Sequence, residues 1–378
     1  MACVSGGCVC PAPTGSADVR LTNTPALSLY PTGAWNGTHI GLVYLEGTGS
    51  GNLSDYDVYF ALLNPDGTRA VSPDVALTNL TTNDTVKYAP DIAWNGSEFA
   101  VIWAQRSGIS GTDHYLLRLQ PDGTPKGPAV NISANTIGTK LGDGAPRILW
   151  SPQYGGYLVA LVEGVDTFFQ RIGVNGATPE PVNMTSLSLG GAHPGFALSP
   201  VGEAAIATKY GLYLYNPDGS LTKPVMPFKV STSISVSVGS SDVIYDGTTW
   251  LSAWHESNAG IYVNRGETKN SPFLAASFLP PTINELPRVV LVPSGTGAIE
   301  MVWAQDSQIN LRRYLPPVGS NSTLVPLTSP ISVLPIQTAN GQLTAVHAGS
   351  GSLLIVWTDT RWGPTELHTR TFDFAACP

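Results

Sequence analysis

The stretch "APDIAWNGSEFAVIWAQ", residues 89 to 105, sets a two-residue Asn-Gly turn between two apolar runs, which is a strong short-range signal for a β-hairpin. The pattern returns along the whole chain, and that repetition limits the possible folds more than any other feature. Aligned on the residue before the turn, Trp35, Trp94 and Trp150 mark clear copies, and Leu198, Tyr245, Leu291 and His347 mark fainter ones. The intervals are 59, 56, 48, 47, 46 and 56 residues, too long for a hairpin and suited to one four-stranded module each. His347 stands where other copies carry Trp, Tyr or Leu, and reads as a packed core residue.

The second half of each module repeats too. "VYFALLNPDGTRAVSPDVALTN", "HYLLRLQPDGTPKGPAVNIS", "TFFQRIGVNGATPEPVNMTS" and "GLYLYNPDGSLTKPVMPF" each read as strand, Pro-Asp-Gly or Asn-Gly turn, strand. A lone four-stranded sheet with two apolar faces cannot bury itself, so seven of them must pack face to face. Radial packing closes that series, which predicts an all-β chain folded as a seven-bladed β-propeller of antiparallel blades. The last module stops after its third strand near Phe372, while "ADVRLTN", residues 17 to 23, matches the fourth strand "DVALTN" of the first. The N-terminal strand is therefore expected to complete the seventh blade, giving a Cys-rich segment over 1–16 and a single propeller domain over 17–378.

The consensus P-x-(I/V)-A-W-N-G-S-x-(F/Y)-x-V-x-W-x-(D/Q)-x-R followed by PDGT resembles the repeats of secreted or lipid-anchored bacterial seven-bladed propeller proteins. Residues 89 to 124 carry it best, and the likeness spans nearly all of the chain after residue 16. It implies the propeller fold and an extracytoplasmic location, whereas propellers as a class host enzymes, lectins and scaffolds alike.

Composition agrees with short strands and tight turns: 40 Gly and 31 Pro in 378 residues, and no long helical periodicity. A net charge of −8 without any Lys/Arg cluster argues against nucleic acid or an anionic membrane as partner. No apolar run is long enough for a transmembrane helix, and "MACVSGGCVC" lacks the apolar core of a secretory leader. Eight Asn-x-Ser/Thr sequons occur; those at Asn36 and Asn95 already have a turn to make.

Cys3, Cys8 and Cys10 open the chain and Cys377 all but ends it. Disulfides in an oxidising compartment fit that distribution better than a metal, since no His falls near the N-terminus. A bond from Cys377 to an N-terminal cysteine would fasten the seam of the ring, contributing on the order of 4 to 5 kcal/mol in the chain-entropy view. The alternative for Cys3 is the lipid-modified N-terminus of a mature outer-membrane lipoprotein.

The connections between second and third strands and between blades fall on one face of the disc and vary in length, as in "EGTGSGNLSDYD" and "TDTRWGPTE". Variable loops on a rigid scaffold commonly bind. One polar position per blade recurs at the end of the second strand: Glu46, Gln105, Glu163, Lys209, Glu256, Gln305 and Asp359. Such a ring either selects a cation or sugar, or satisfies exposed backbone at strand ends. A structural Ca²⁺ needs oxygens converging at one point, which a ring does not supply, and no cofactor is expected. Arg106, His255, Glu256, Asp359, Arg361 and Trp362 form the candidate contact set, with Trp beside Arg and Asp suited to a sugar or protein; the alternative is an Asp359–Arg361 pair that braces the loop. No nucleophile elbow, H-E-x-x-H or phosphate loop is present. The expectation is a non-catalytic binding or scaffold protein for a glycan or protein partner at the cell surface. The competing expectation is a glycoside hydrolase or lyase with carboxylates at the top of the central channel.

Overall fold

Each repeat folds into one antiparallel sheet whose strands run outward in chain order. The account rests on a computed structural model that describes residues 2–4, 7–9, 14–47, 56–79, 84–86, 90–107, 112–133, 145–163, 166–174, 187–188, 194–208, 211–216, 220–227, 238–256, 260–266, 273–277, 289–293, 297–305, 308–315, 325–326, 331–335, 342–349, 351–360 and 364–374. Blades one to seven begin with the inner strands Ser28–Trp35, Asp91–Trp94, Arg147–Ser151, Gly195–Leu198, Val238–Tyr245, Val289–Pro293 and Leu343–His347. Each inner strand neighbours the next around the ring, and the seventh neighbours the first. The chain is a seven-bladed β-propeller.

Apolar residues on both faces of every blade make seven separate cores, one per blade interface. The core that closes the ring joins Val346, Leu354 and Val356 of blade seven to Ile40, Leu42 and Tyr44 of blade one. The N-terminal strand seals it. Val19–Arg20 pairs with the third strand of blade seven, Glu366–Asp373, through Thr369 and His368, and Leu21 adds its side chain to the same core. The seal starts earlier than residue 17, because Thr14 and Gly15 pair with Asp373 and Phe372. The backbone of Ala2–Val4 pairs with Gly7–Val9, setting Cys3 opposite Cys8. The cysteine side chains, Cys10 and Cys377 lie outside the described residues.

Local chemistry explains the repeat. In the inner turns a side-chain oxygen accepts two backbone N–H groups: Asn36 from Thr38 and His39, Asn95 from Ser97 and Glu98, Asp246 from Thr248 and Thr249, all between 2.7 and 2.9 Å. The following glycine takes a left-handed conformation, as at Gly96 with φ of 97°, where a side chain would be strained. In the Pro-Asp-Gly turn, Asp122 accepts from Thr124 at 2.9 Å and Gly123 has φ of 91°. Outer strands use a hydroxyl in the same way: Thr78 accepts from Val58, Ser133 from His114 and Thr22 from Leu367, at 2.8 to 3.0 Å. The match between residues 17–23 and 74–79 therefore extends to a hydrogen bond.

His347 is not simply core. Its Nε2 lies 2.5 Å from Glu300 of blade six, and Glu300 also pairs with the fully buried Arg313. A polar residue enters the inner turn here because the neighbouring blade offers a buried partner.

Candidate functional site

In blades two, five and seven the polar position that ends the second strand lies two residues beyond a buried indole. Trp103 Nε1 donates to Gln105, Trp254 Nε1 to Glu256 and Trp357 Nε1 to Asp359, each at 3.2 Å. These indoles bury against the preceding blade and stack across the sheet: Trp103 on Tyr115 and Trp254 on Tyr262, with centroids 5.9 Å apart. A buried indole N–H requires an acceptor, and the residue two positions on, on the same side of the strand, is in place to supply it. Glu256 and Asp359 are wholly buried, which removes their side chains from a contact surface and corrects the expectation that they face a ligand. His255 is buried as well, and burial pushes its imidazole down to about 4. Arg361, Trp362, Lys209 and the side chains of Arg106, Glu163 and Gln305 lie outside the described residues.

Glu46, like Gln105, is a half-buried member of the ring. It lies in a crevice of about 230 Å³ beside Tyr44, Tyr59, Arg69 and Asp74. Burial pushes its carboxyl up, a hydrogen bond with Thr24 pulls it back, and the Asp74 charge raises it further. Asp74 itself is taken: it accepts from Tyr44 at 2.7 Å and forms a two-pronged pair with Arg69 at 2.6 and 2.7 Å. Strand register also sets Glu46 opposite Asp57 and Asp359 opposite Glu366. Asp57 accepts the Thr78 hydroxyl at 2.6 Å, and Glu366 is clamped by both Nε and Nη2 of Arg20.

The central channel is a cavity of about 410 Å³ lined by the inner strands of all seven blades. One residue per blade lies at the same level: Thr32, Asp91, Arg147, Phe196, Asp242, Val290 and Thr344. Each pairs with the second-strand residue three before the polar ring position. Arg147 links blade three to blades two and four. Its Nε donates to Asp91 Oδ2 and its Nη1 to the Pro194 carbonyl, both at 2.9 Å. Asp91 Oδ2 also accepts from the Ile148 backbone at 2.9 Å. Asp242 takes the Val243 and Leu291 N–H groups, each at 2.9 Å. Burial disfavours the Arg147 cation, and attraction to Asp91 and Asp242 outweighs it, so the guanidinium is held more firmly protonated than usual.

Sequence reading missed this trio. Asp91 and Arg147 fill the "x" of the consensus P-x-(I/V)-A-W, and Asp242 stands three residues before Tyr245 in the degraded fifth copy. For Asp91 and Arg147 the signal was a charge at an otherwise apolar strand start. Among the described residues no cluster of His, Cys, Asp and Glu is arranged to hold a metal ion.

No protein-family model and no curated protein matches the chain. Solved structures resemble it in fold. The oligogalacturonate lyase of Vibrio parahaemolyticus superposes with a TM-score of 0.55 at 11% identity, over 93% of each chain. A protein of unknown function from Dyadobacter fermentans gives 0.53 at 11% identity, over 96% of this chain and all of that one. The periplasmic gluconolactonase of Pseudomonas aeruginosa gives 0.52 at 14%, over 83% and 89%. Likeness at these identities shows the propeller and no shared chemistry.

Proposed function

We propose that this protein binds its ligand without transforming it, as an extracytoplasmic propeller, secreted or held at the cell surface as a lipoprotein. Its ligand is a glycan or a protein met through the loop-bearing face. One observation carries the reading: among the described side chains, the acids that register brings together on that face are, Glu46 apart, occupied. Asp359 serves an indole, Glu366 serves Arg20, Asp57 serves Thr78, and Asp74 serves Arg69 and Tyr44. A hydrolase of the two-carboxylate kind needs one acid free to exchange a proton and a second free to attack or to activate water. Among the described side chains Glu46 is left without a second free acid opposite it.

The test is a glycan-array screen of the oxidised protein, with an Arg361→Ala/Trp362→Ala variant beside it, and pull-down from cell surfaces where no glycan binds. Specific capture, weakened in the variant and leaving the ligand intact, supports binding through the loops. Cleavage of an oligosaccharide that grows with time and disappears in Glu46→Gln would establish the hydrolase or lyase instead.

A further inference from the structure

The channel trio leaves two polar atoms unused, and they are complementary. Asp91 Oδ2 already accepts from both Arg147 and the Ile148 backbone, while Oδ1 accepts nothing among the described residues, although the side chain is only 8% exposed. Arg147 spends Nε and Nη1 on Asp91 and Pro194. Its Nη2 donates to nothing among the described residues, and the side chain is 22% exposed. Both residues line the 410 Å³ cavity, and so do Trp150 and Tyr245. A polar atom that faces a cavity and has no protein partner is open to water or to a ligand's hydroxyl.

From this geometry we infer that the central channel is a binding site for a neutral polyhydroxylated molecule of small-saccharide size. The inference rests on the binding reading above only in that the ligand is held without being transformed, and it adds a ligand class and a second place, the channel, distinct from the loop-bearing face. Neighbouring hydroxyls can donate to Asp91 Oδ1 and accept from Arg147 Nη2 at once, since a hydroxyl does both. The aromatic residues offer apolar surface to the C–H face of such a ligand. Charge selects against the alternatives: an anion drawn to Arg147 meets Asp91 and Asp242, and a cation drawn to the two acids meets Arg147. The cavity falls within the roughly 300 to 1,000 Å³ usual for small-ligand sites.

The experiment is saturation-transfer NMR and calorimetric titration of the whole chain with neutral mono- and disaccharides, with galacturonate and glucosamine as charged comparators. Two variants are run in parallel: Asp91→Asn, which removes the charged acceptor, and Val290→Phe, which narrows the channel at the same level without touching the trio. Thermal melts check the fold of each. We expect at least one neutral saccharide to bind, about tenfold or more weakly in Asp91→Asn, and not at all in Val290→Phe. If Asp91→Asn does not fold, Val290→Phe decides. Three results would overturn the inference: no neutral saccharide binds, a charged sugar binds more tightly, or binding is unchanged in the folded variants. Unchanged binding would leave the loop face as the glycan site. Turnover of the saccharide in the same samples would instead sink the binding reading.

Discussion

A tryptophan buried between two blades brings one N–H with it, and the chain answers that donor two residues later. Removing the answer leaves the indole unpaired in a low-dielectric interface. We therefore expect Glu256→Leu to lower stability by about 1 to 3 kcal/mol, measured by urea denaturation, and Trp254→Phe added to it to recover part of the loss. His114 makes a second case. It is fully buried, neither ring nitrogen has a hydrogen-bond partner among the described residues, and burial pushes its pKa down to about 4 from an ordinary 6.5. Between those values the unfolded chain takes up a proton that the folded chain refuses. Stability is then full above about 6.5 and falls on acidification towards 4, by roughly 3 kcal/mol. Denaturation at stepwise lower pH should show that slope, and His114→Phe should remove its share while leaving that of the similarly buried His255. At this scale the sequence displayed the ring of polar residues but not its purpose, because burial of the preceding tryptophan depends on the neighbouring blade. The channel charges were harder still. Asp91 and Arg147 are 56 residues apart, and nothing local joins them.

The blade was the most legible part of the molecule. Asn-Gly and Pro-Asp-Gly turns have one backbone solution each, and alternation did the rest. Turn and packing even coincide at Gly123. It holds φ of 91°, and a methyl group there would come within 2.4 Å of the Phe60 ring in the preceding blade. Gly123→Ala should therefore destabilise by more than the roughly 1 kcal/mol typical of a strained turn alone, read as a drop in melting temperature that a compensating Phe60→Leu partly reverses. Blade seven differs from its siblings because its outer strand comes from the far end of the chain. Two ion pairs flank that strand, Arg20 with Glu366 and Arg370 with Asp18. Deleting residues 1–23 strips the Leu367 N–H of its Thr22 acceptor and opens the core at Leu21. The truncated chain should be cut early by protease within blade seven, and a synthetic peptide of residues 14–23 added in trans should slow the cutting.

Seven interfaces of similar design share the stability of the disc, so no single core holds it together, and loss of one contact spreads to two neighbours only. The ring number, the order of the blades and the closing strand could all be counted from repeats, whereas the channel could not. A channel exists only once seven inner strands meet, and its lining is a property of the closed assembly rather than of any module. Blade four places Phe196 and blade six Val290 at the channel level where others carry polar groups, a difference at a position that the repeat leaves open.

The strand that seals the ring sets a timetable for the nascent chain. Ser16 waits for Thr371, 355 residues downstream, before it has a partner. At about 5 to 20 residues per second, synthesis leaves that edge open for roughly 20 to 70 s. Six blades can stack in order as they emerge, but the circle is completed only by a handshake between a strand made before the first blade and one made in the last. Until then the chain carries an unpaired strand at each end of the stack, and it is during that interval, rather than in the finished disc, that it is most open to pairing with a stranger.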